Sequence, residues 1–154
     1  MTETVLKLGD SVPAIAFTMT DGQTHTFADF AGQHIVLYFY PKDDTPGCTI
    51  EAKGFRDHLQ DFKNKNAIIL GVSKDSAAKH QKFREKYCLP FDLIVDTETE
   101  LCQLFDVLKD KSMFGKKYKG IERSTFIISP EGTLIKEWRK VSVLGHVKKV
   151  LEAL

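Results

Sequence analysis

Apolar runs of two kinds alternate along the chain. His34–Tyr40 (HIVLYFY) and Ala67–Ser73 (AIILGVS) are continuous β-branched and aromatic stretches, the pattern of strands covered on both faces. Shorter strands are predicted around Ala14–Met19 and Thr24–Thr26, joined by the turn Thr20-Asp21-Gly22, and over 91–96 (FDLIVD). Between them the period changes. From Thr45 to Asn64, the residues Cys48, Ala52, Phe55, Leu59 and Phe62 recur at i, i+4, i+7, i+11 and i+14, which predicts one helix with a single apolar stripe. Residues 75–87 read as an amphipathic helix capped by Asp75 with Pro90 beyond its end, and Thr97–Phe105 as a short helix. Strands return at 124–129 (STFIIS) and 133–138 (TLIKEW), separated by the turn Pro130-Glu131-Gly132, and a helix over 145–154 closes the chain. The order β-β-β-α-β-α-β-α-β-β-α predicts an α/β three-layer sandwich, a central mixed β-sheet flanked by helices.

No repeat, low-complexity tract or Pro/Gly/Ser linker interrupts this order, so a single domain over 1–154 is expected, long enough for a real core. A formal net charge of +1 provides no field that would recruit nucleic acid or an acidic lipid surface. The locally basic stretch Lys109–Lys119 reads as a solvated loop in preference to a binding patch. No apolar run approaches the ~20 residues that cross a bilayer. The N-terminal MTETVLKLGDSVP lacks the apolar core of a secretory signal. Three cysteines, an odd number, argue against a disulfide scaffold, and the cytoplasm is the expected compartment.

The informative segment is YFYPKDDTPGCTIEA, residues 38–52. A buried strand runs into Pro41, a polar turn follows, and a helix starts with Thr45 or Asp44 at its cap and Pro46 in its first turn. Cys48 then falls in the first helical turn, where unpaired N–H groups and the positive dipole end favour a thiolate over a thiol. Thr45 lies three residues earlier, so a helical spacing would put its hydroxyl beside the sulfur. Pro41 and Pro46 carry no N–H donor and stiffen the backbone around the pocket. On spacing alone, an inert core cysteine and a nucleophile stand level, because Cys48 also continues the apolar stripe of its helix.

Pro41, Thr45 and Cys48 match the active-site signature of the peroxiredoxins, and the run FYPKDDTPGCTIEA resembles the bacterioferritin-comigratory or peroxiredoxin Q branch. LGVSKDS at 70–76, LCQLFDV at 101–107 and IERSTFIISPEGTL at 121–134 extend the resemblance over essentially the whole chain. The resemblance implies a thioredoxin-like fold and a thiol-dependent reduction of hydrogen peroxide and organic hydroperoxides, with no cofactor. It implies Cys48 as the peroxidatic cysteine, Thr45 as its hydroxyl partner and Pro41 as the shielding proline. It implies Arg123 as the arginine that steers thiolate and peroxide, with Glu51 and Gly47 in support.

One departure concerns the second half of the cycle. Many members of this branch carry a resolving cysteine where Lys53 stands, and others carry it in a stretch equivalent to HQKFREKY, which has none. Three readings follow for the Cys48 sulfenic acid. The expected one is reduction by an external thiol such as thioredoxin, glutaredoxin or glutathione. The second uses Cys88 as resolver after local unfolding of the Cys48 helix. The third uses Cys102, or pairs two chains; a monomer or weak homodimer is expected. Other chemistries fit less well. A dithiol oxidoreductase needs Cys-x-x-Cys, whereas Thr49, Ile50 and Glu51 follow Cys48; a cysteine phosphatase needs Arg where Gly54 stands. Structural zinc needs about four ligands at short spacing. His34, His58, His80 and His146 sit in no hydrolase motif. The non-enzymatic rival is a binding or holdase module in which Cys48 is structural.

Overall fold

The structure is a computed structural model and describes residues 5–154. Residues 1–4, the start of the N-terminal stretch considered above, lie outside the described residues. The two apolar runs become the central parallel pair, β3 (His34–Phe39) and β4 (Ala67–Ser73). The other strands are β1 (Phe17–Met19), β2 (Thr24–His25), β5 (Leu93–Val95), β8 (Ser124–Ile128) and β9 (Leu134–Trp138). They complete a seven-stranded sheet in the order β2-β1-β5-β4-β3-β8-β9. β3, β4 and β5 run parallel, while β1 and β8 join antiparallel, so the sheet is mixed as expected.

Strand alternation sorts the core into two layers. Ile35, Leu37 and Phe39 of β3 face one cluster, which includes Phe105, Phe126 and Cys102. Val36, Tyr38 and Tyr40 face the other, which includes Cys48, Phe55, Phe83 and Val147. The second layer is covered by α1 (Pro46–Asp57), α2 (Leu59–Asn64), α3 (Ala77–Tyr87) and α5 (His146–Glu152). The first is covered by a 3-10 turn at Phe27–Phe30, by α4 (Glu100–Leu104) and by the root of a hairpin. Helices thus flank the sheet on both faces, the thioredoxin-like arrangement.

Three expectations are corrected. The helix foreseen over Thr45–Asn64 begins at Pro46 and breaks at His58, whose φ and ψ of −103° and 12° leave the helical region. The break brings the Phe62 ring to 5.7 Å from that of Phe55; seven residues of straight helix would hold them about 10 Å apart along the axis. The cap of α3 is Ser76, whose hydroxyl accepts from the Lys79 N–H, and not Asp75, whose carboxylate is bound to Ser73 and to the Asp43 N–H. Lys109–Lys119 is not a loop. It lies within an antiparallel hairpin, β6 (Leu108–Met113) and β7 (Lys116–Ile121), that forms its own two-stranded sheet. Among the described residues, no helix is long and apolar enough to cross a membrane.

Candidate active site around Cys48

The site forms where β3 and β4 end and β8, running the other way, begins. Past Phe39 the chain stays on the sheet for one residue, the Tyr40 N–H donating to the Val72 carbonyl, and then turns at Pro41. Asp44 takes a left-handed φ of 58°, and Thr45 caps α1 with Pro46 at its first position. The first bond of the helix runs from the Thr49 N–H to the Thr45 carbonyl. The N–H groups of Gly47 and Cys48 precede it and have no helical partner, as at any helix start. Cys48 is thus the third helical residue, and its side chain is 1% exposed among the rings of the helix-covered layer.

Arg123 enters from the residue before β8. Its Nη2 donates to Cys48 Sγ at 3.3 Å and its Nη1 to Glu51 Oε1 at 2.8 Å, so one planar fork spans both groups. The Arg123 carbonyl accepts from the Val141 N–H, which fixes the backbone that carries the fork. Burial works against the arginine's charge, but Glu51 and Cys48 more than offset it and hold its pKa above the ordinary value. Gly47 leaves room for this contact: a Cβ there would stand 3.1 Å from Arg123 Nη2.

Glu51 is fully buried one turn after Cys48. Burial raises its pKa to about 7, against the pull of Arg123. Its Oε2 is buried without a partner, as are the Tyr38 and Thr49 hydroxyl oxygens. The same burial, with Glu51 and Cys48 nearby, pushes the Tyr38 phenol well above its usual range, so Tyr38 stays neutral.

Thr45 differs from the helical expectation. As the cap it has ψ of 155°, outside the helix, and its hydroxyl donates to the Lys42 carbonyl at 2.8 Å. The proton of that hydroxyl is committed to the turn, and its lone pairs remain for an incoming donor. Pro41 sits half-buried at the head of the same turn.

The three cysteines are all unpaired and differ in setting. Cys102 lies in the opposite core layer, with the sheet between it and Cys48. Burial and the neighbouring Asp96 push its thiol far up. Cys88 is exposed, in a left-handed conformation at the end of α3, on the same side of the sheet as Cys48.

One cluster was missed in the sequence. Asp43 accepts from the Tyr40 hydroxyl at 2.5 Å and contacts His80 Nδ1 at 2.6 Å, while His80 Nε2 donates to the Ile94 carbonyl at 2.9 Å. Both ring nitrogens face oxygen, so the imidazole bridges the Asp43 carboxyl and the Ile94 carbonyl. The network ties the turn before Cys48 to α3 and β5. The available signal was spacing: His80, Phe83 and Tyr87 share one face of an otherwise polar helix. Asp43, Asp75 and His80 also place ligand atoms within 4.8 Å of one another. Those atoms already serve as hydrogen-bond partners for Tyr40, Ser73 and each other.

The AhpC/TSA family model matches residues 8–137. Peroxiredoxin Bcp of Bacillus subtilis is 53% identical over 149 residues, covering 97% of this chain and 95% of that protein. Among solved structures, a Xylella fastidiosa PrxQ cysteine-to-serine mutant superposes with a TM-score of 0.92 at 38% identity, covering 98% of this chain and 96% of the other. The Xanthomonas campestris bacterioferritin comigratory protein, described for its alkyl peroxide reduction activity, superposes with a TM-score of 0.88 at 44% identity over the same shares.

Proposed function

The chain belongs to the AhpC/TSA family, in its bacterioferritin-comigratory or peroxiredoxin Q branch, and on that premise we propose that Cys48 is its peroxidatic nucleophile in a one-cysteine cycle completed by an external thiol. Thiol-dependent peroxidase activity follows from the membership, which leaves the non-enzymatic holdase reading without support. The observation that carries the residue assignment is the Arg123 fork, 3.3 Å from Cys48 Sγ at the start of α1.

The Cys48 thiolate attacks the terminal oxygen of a hydroperoxide. An S–O bond forms from a sulfur lone pair as the O–O bond breaks, and the departing oxygen takes a proton to leave as water or an alcohol. Arg123 and the free N–H groups of Gly47 and Cys48 oppose the charge that moves from sulfur to oxygen. Pro41 and Thr45 shape the mouth, Gly47 admits the arginine, and Glu51 holds the other half of the fork. An external thiolate then attacks the sulfenic sulfur and expels its oxygen as water, and a second thiol frees Cys48. Hydrogen peroxide and organic hydroperoxides both fit this chemistry, and we assign the chain one domain working in the cytoplasm.

Cys88 as an internal resolver is the alternative. Arg56 Nη1 binds the Tyr87 carbonyl, which places Cys88 beside the far half of α1. Eight residues separate Cys48 from Arg56, about 12 Å along the helix axis, whereas a disulfide needs its Cα atoms within about 7 Å. The first turns of α1 would have to unwind. Two measurements decide between the readings. Peroxide consumption that survives Cys48→Ser would refute the nucleophile. After one equivalent of peroxide, mass spectrometry is expected to find a dimedone adduct on Cys48; an intrachain Cys48–Cys88 link would overturn the one-cysteine cycle.

A further inference from the structure

The β6–β7 hairpin is the least explained part of the molecule. Between Leu108 and Ile121 it carries Lys109, Lys111, Lys116, Lys117 and Lys119 against Asp110 alone, a local charge of +4 in a chain of net charge +1. Its tip exposes large apolar groups with no core beneath them: Phe114 is 98% exposed, Met113 56% and Tyr118 44%. The cross-strand pairs Met113–Lys116 and Lys111–Tyr118 put Met113 and Tyr118 on one face of the ribbon. Phe114 and Gly115 form the two-residue turn with φ of 52° and 77°. A bulky side chain at a left-handed position is strained, where Asn or Asp would be at ease.

Lysines on open strand edges can serve only to discourage aggregation. That accounts for the charge and leaves the strained, fully exposed Phe114 without a reason. Exposed apolar groups rimmed by polar residues mark interaction sites.

The hairpin's place selects the partner. Its root pair, Leu108–Ile121, packs into the core; Glu122 follows, bonded to the Val107 carbonyl, and the next residue is Arg123. Lys74, in the segment after β4, donates from Nζ to the Lys119 carbonyl and ties the ribbon to the same end of the sheet. Nine extended residues from Arg123 to Phe114 span at most roughly 30 Å. A standard interface of about 800 Å² per partner is itself about 30 Å across. One protein can therefore touch the hairpin and present a thiol to Cys48.

Resting on the one-cysteine reading above, we propose that the β6–β7 hairpin is the docking surface for a protein dithiol reductant whose reactive rim is acidic and partly apolar. Phe114 and Met113 seat on the apolar part, Lys116 on their face of the ribbon meets the carboxylates, and Lys117 flanks the tip from the opposite face. The docked dithiol reduces the Cys48 sulfenic acid, its two thiols becoming a disulfide as water leaves.

The test is a triple variant, Phe114→Ser, Lys116→Glu and Lys117→Glu, assayed with two reductants. With dithiothreitol its peroxidase rate should equal that of the parent, which also certifies the fold. With thioredoxin as the protein dithiol, kcat/KM should fall at least tenfold, mainly through KM. The parent's thioredoxin rate should fall as NaCl rises from 50 to 500 mM, and the variant should lose most of that dependence. Equal thioredoxin rates for parent and variant would overturn the proposal. So would a parent that dithiothreitol reduces and thioredoxin does not, or a hairpin that binds phosphatidylglycerol vesicles while thioredoxin turnover is unchanged by the substitutions. A parent inactive with dithiothreitol would instead refute the peroxidase assignment of Cys48.

Discussion

Replacing Glu51 by Gln tests the electrostatics of the site through stability. Glu51 is fully buried, and burial lifts its pKa from 4.5 to about 7. Between those values the folded chain keeps a proton that the unfolded chain has lost, so stability must fall as pH rises through that window. The contribution is complete below about pH 4.5 and gone above about pH 7. A shift of this size corresponds to roughly 3 kcal/mol in all, most of which falls between pH 5 and pH 8. Glutamine keeps the Oε1 acceptor for Arg123 Nη1 and cannot ionise. Glu51→Gln should therefore gain stability relative to the parent as pH rises, by roughly 2–3 kcal/mol from pH 5 to pH 8, or about 5–10 °C in melting midpoint for a chain of this size. Urea unfolding of both proteins at half-unit steps of pH measures the difference directly, and other titrating groups cancel. A difference that stays flat with pH, or that grows toward acid, would show that Glu51 does not hold its proton to neutrality.

Three further outcomes follow from distances at the site. Arg123→Ala should slow the second-order reaction with peroxide by about 10²–10³, the cost of losing one preorganised donor; Arg123→Lys should not restore it, because an ammonium cannot bridge Cys48 and Glu51 as the fork does, and stopped-flow kinetics would expose either error. Gly47→Ala should lower the peroxide rate, because its Cβ would stand 3.1 Å from Arg123 Nη2 and push the guanidinium from the sulfur; an unchanged rate in stopped-flow would contradict this. His80→Asn leaves Asp43 Oδ2 and the Ile94 carbonyl without their imidazole partner, with only the Tyr40 hydroxyl still on Asp43, and should cost about 1–3 kcal/mol in urea unfolding, so an unmoved midpoint would deny the pair its role.

Most of the fold was legible because its signals are local. The runs at 34–40 and 67–73 could hardly be anything but covered strands, and they form the parallel centre of the sheet. The errors lie where tertiary contacts overrule periodicity. The stripe from Cys48 to Phe62 looks continuous on paper, yet the helix breaks at His58 and the Phe62 ring turns in to 5.7 Å from that of Phe55. Asp75 has the composition of a cap, but Asp43 and Ser73, one of them 32 residues away in sequence, claim its carboxylate. The β6–β7 hairpin has no apolar alternation to betray it, and its Phe114-Gly115 turn lacks the Asn-Gly or Asp-Gly that would mark one.

The site divides along the same line. The setting of Cys48 in a first helical turn could be read from Thr45, Pro46 and Gly47, since a helix start is written in three or four adjacent residues. Arg123, 75 residues away, could be reached only through the likeness of IERSTFIIS to a family, because nothing in the spacing says which strand end will face which helix. For the Asp43–His80 pair the spacing of His80, Phe83 and Tyr87 marks a buried face of α3 and says nothing of which carboxyl will meet it. Topology then supplies what composition could not. Sulfur atoms at 48, 88 and 102 look alike in the sequence, but alternation along β3 fixes which layer each core side chain enters. Once the sheet stands between Cys48 and Cys102, a disulfide between them would require the central strands to part.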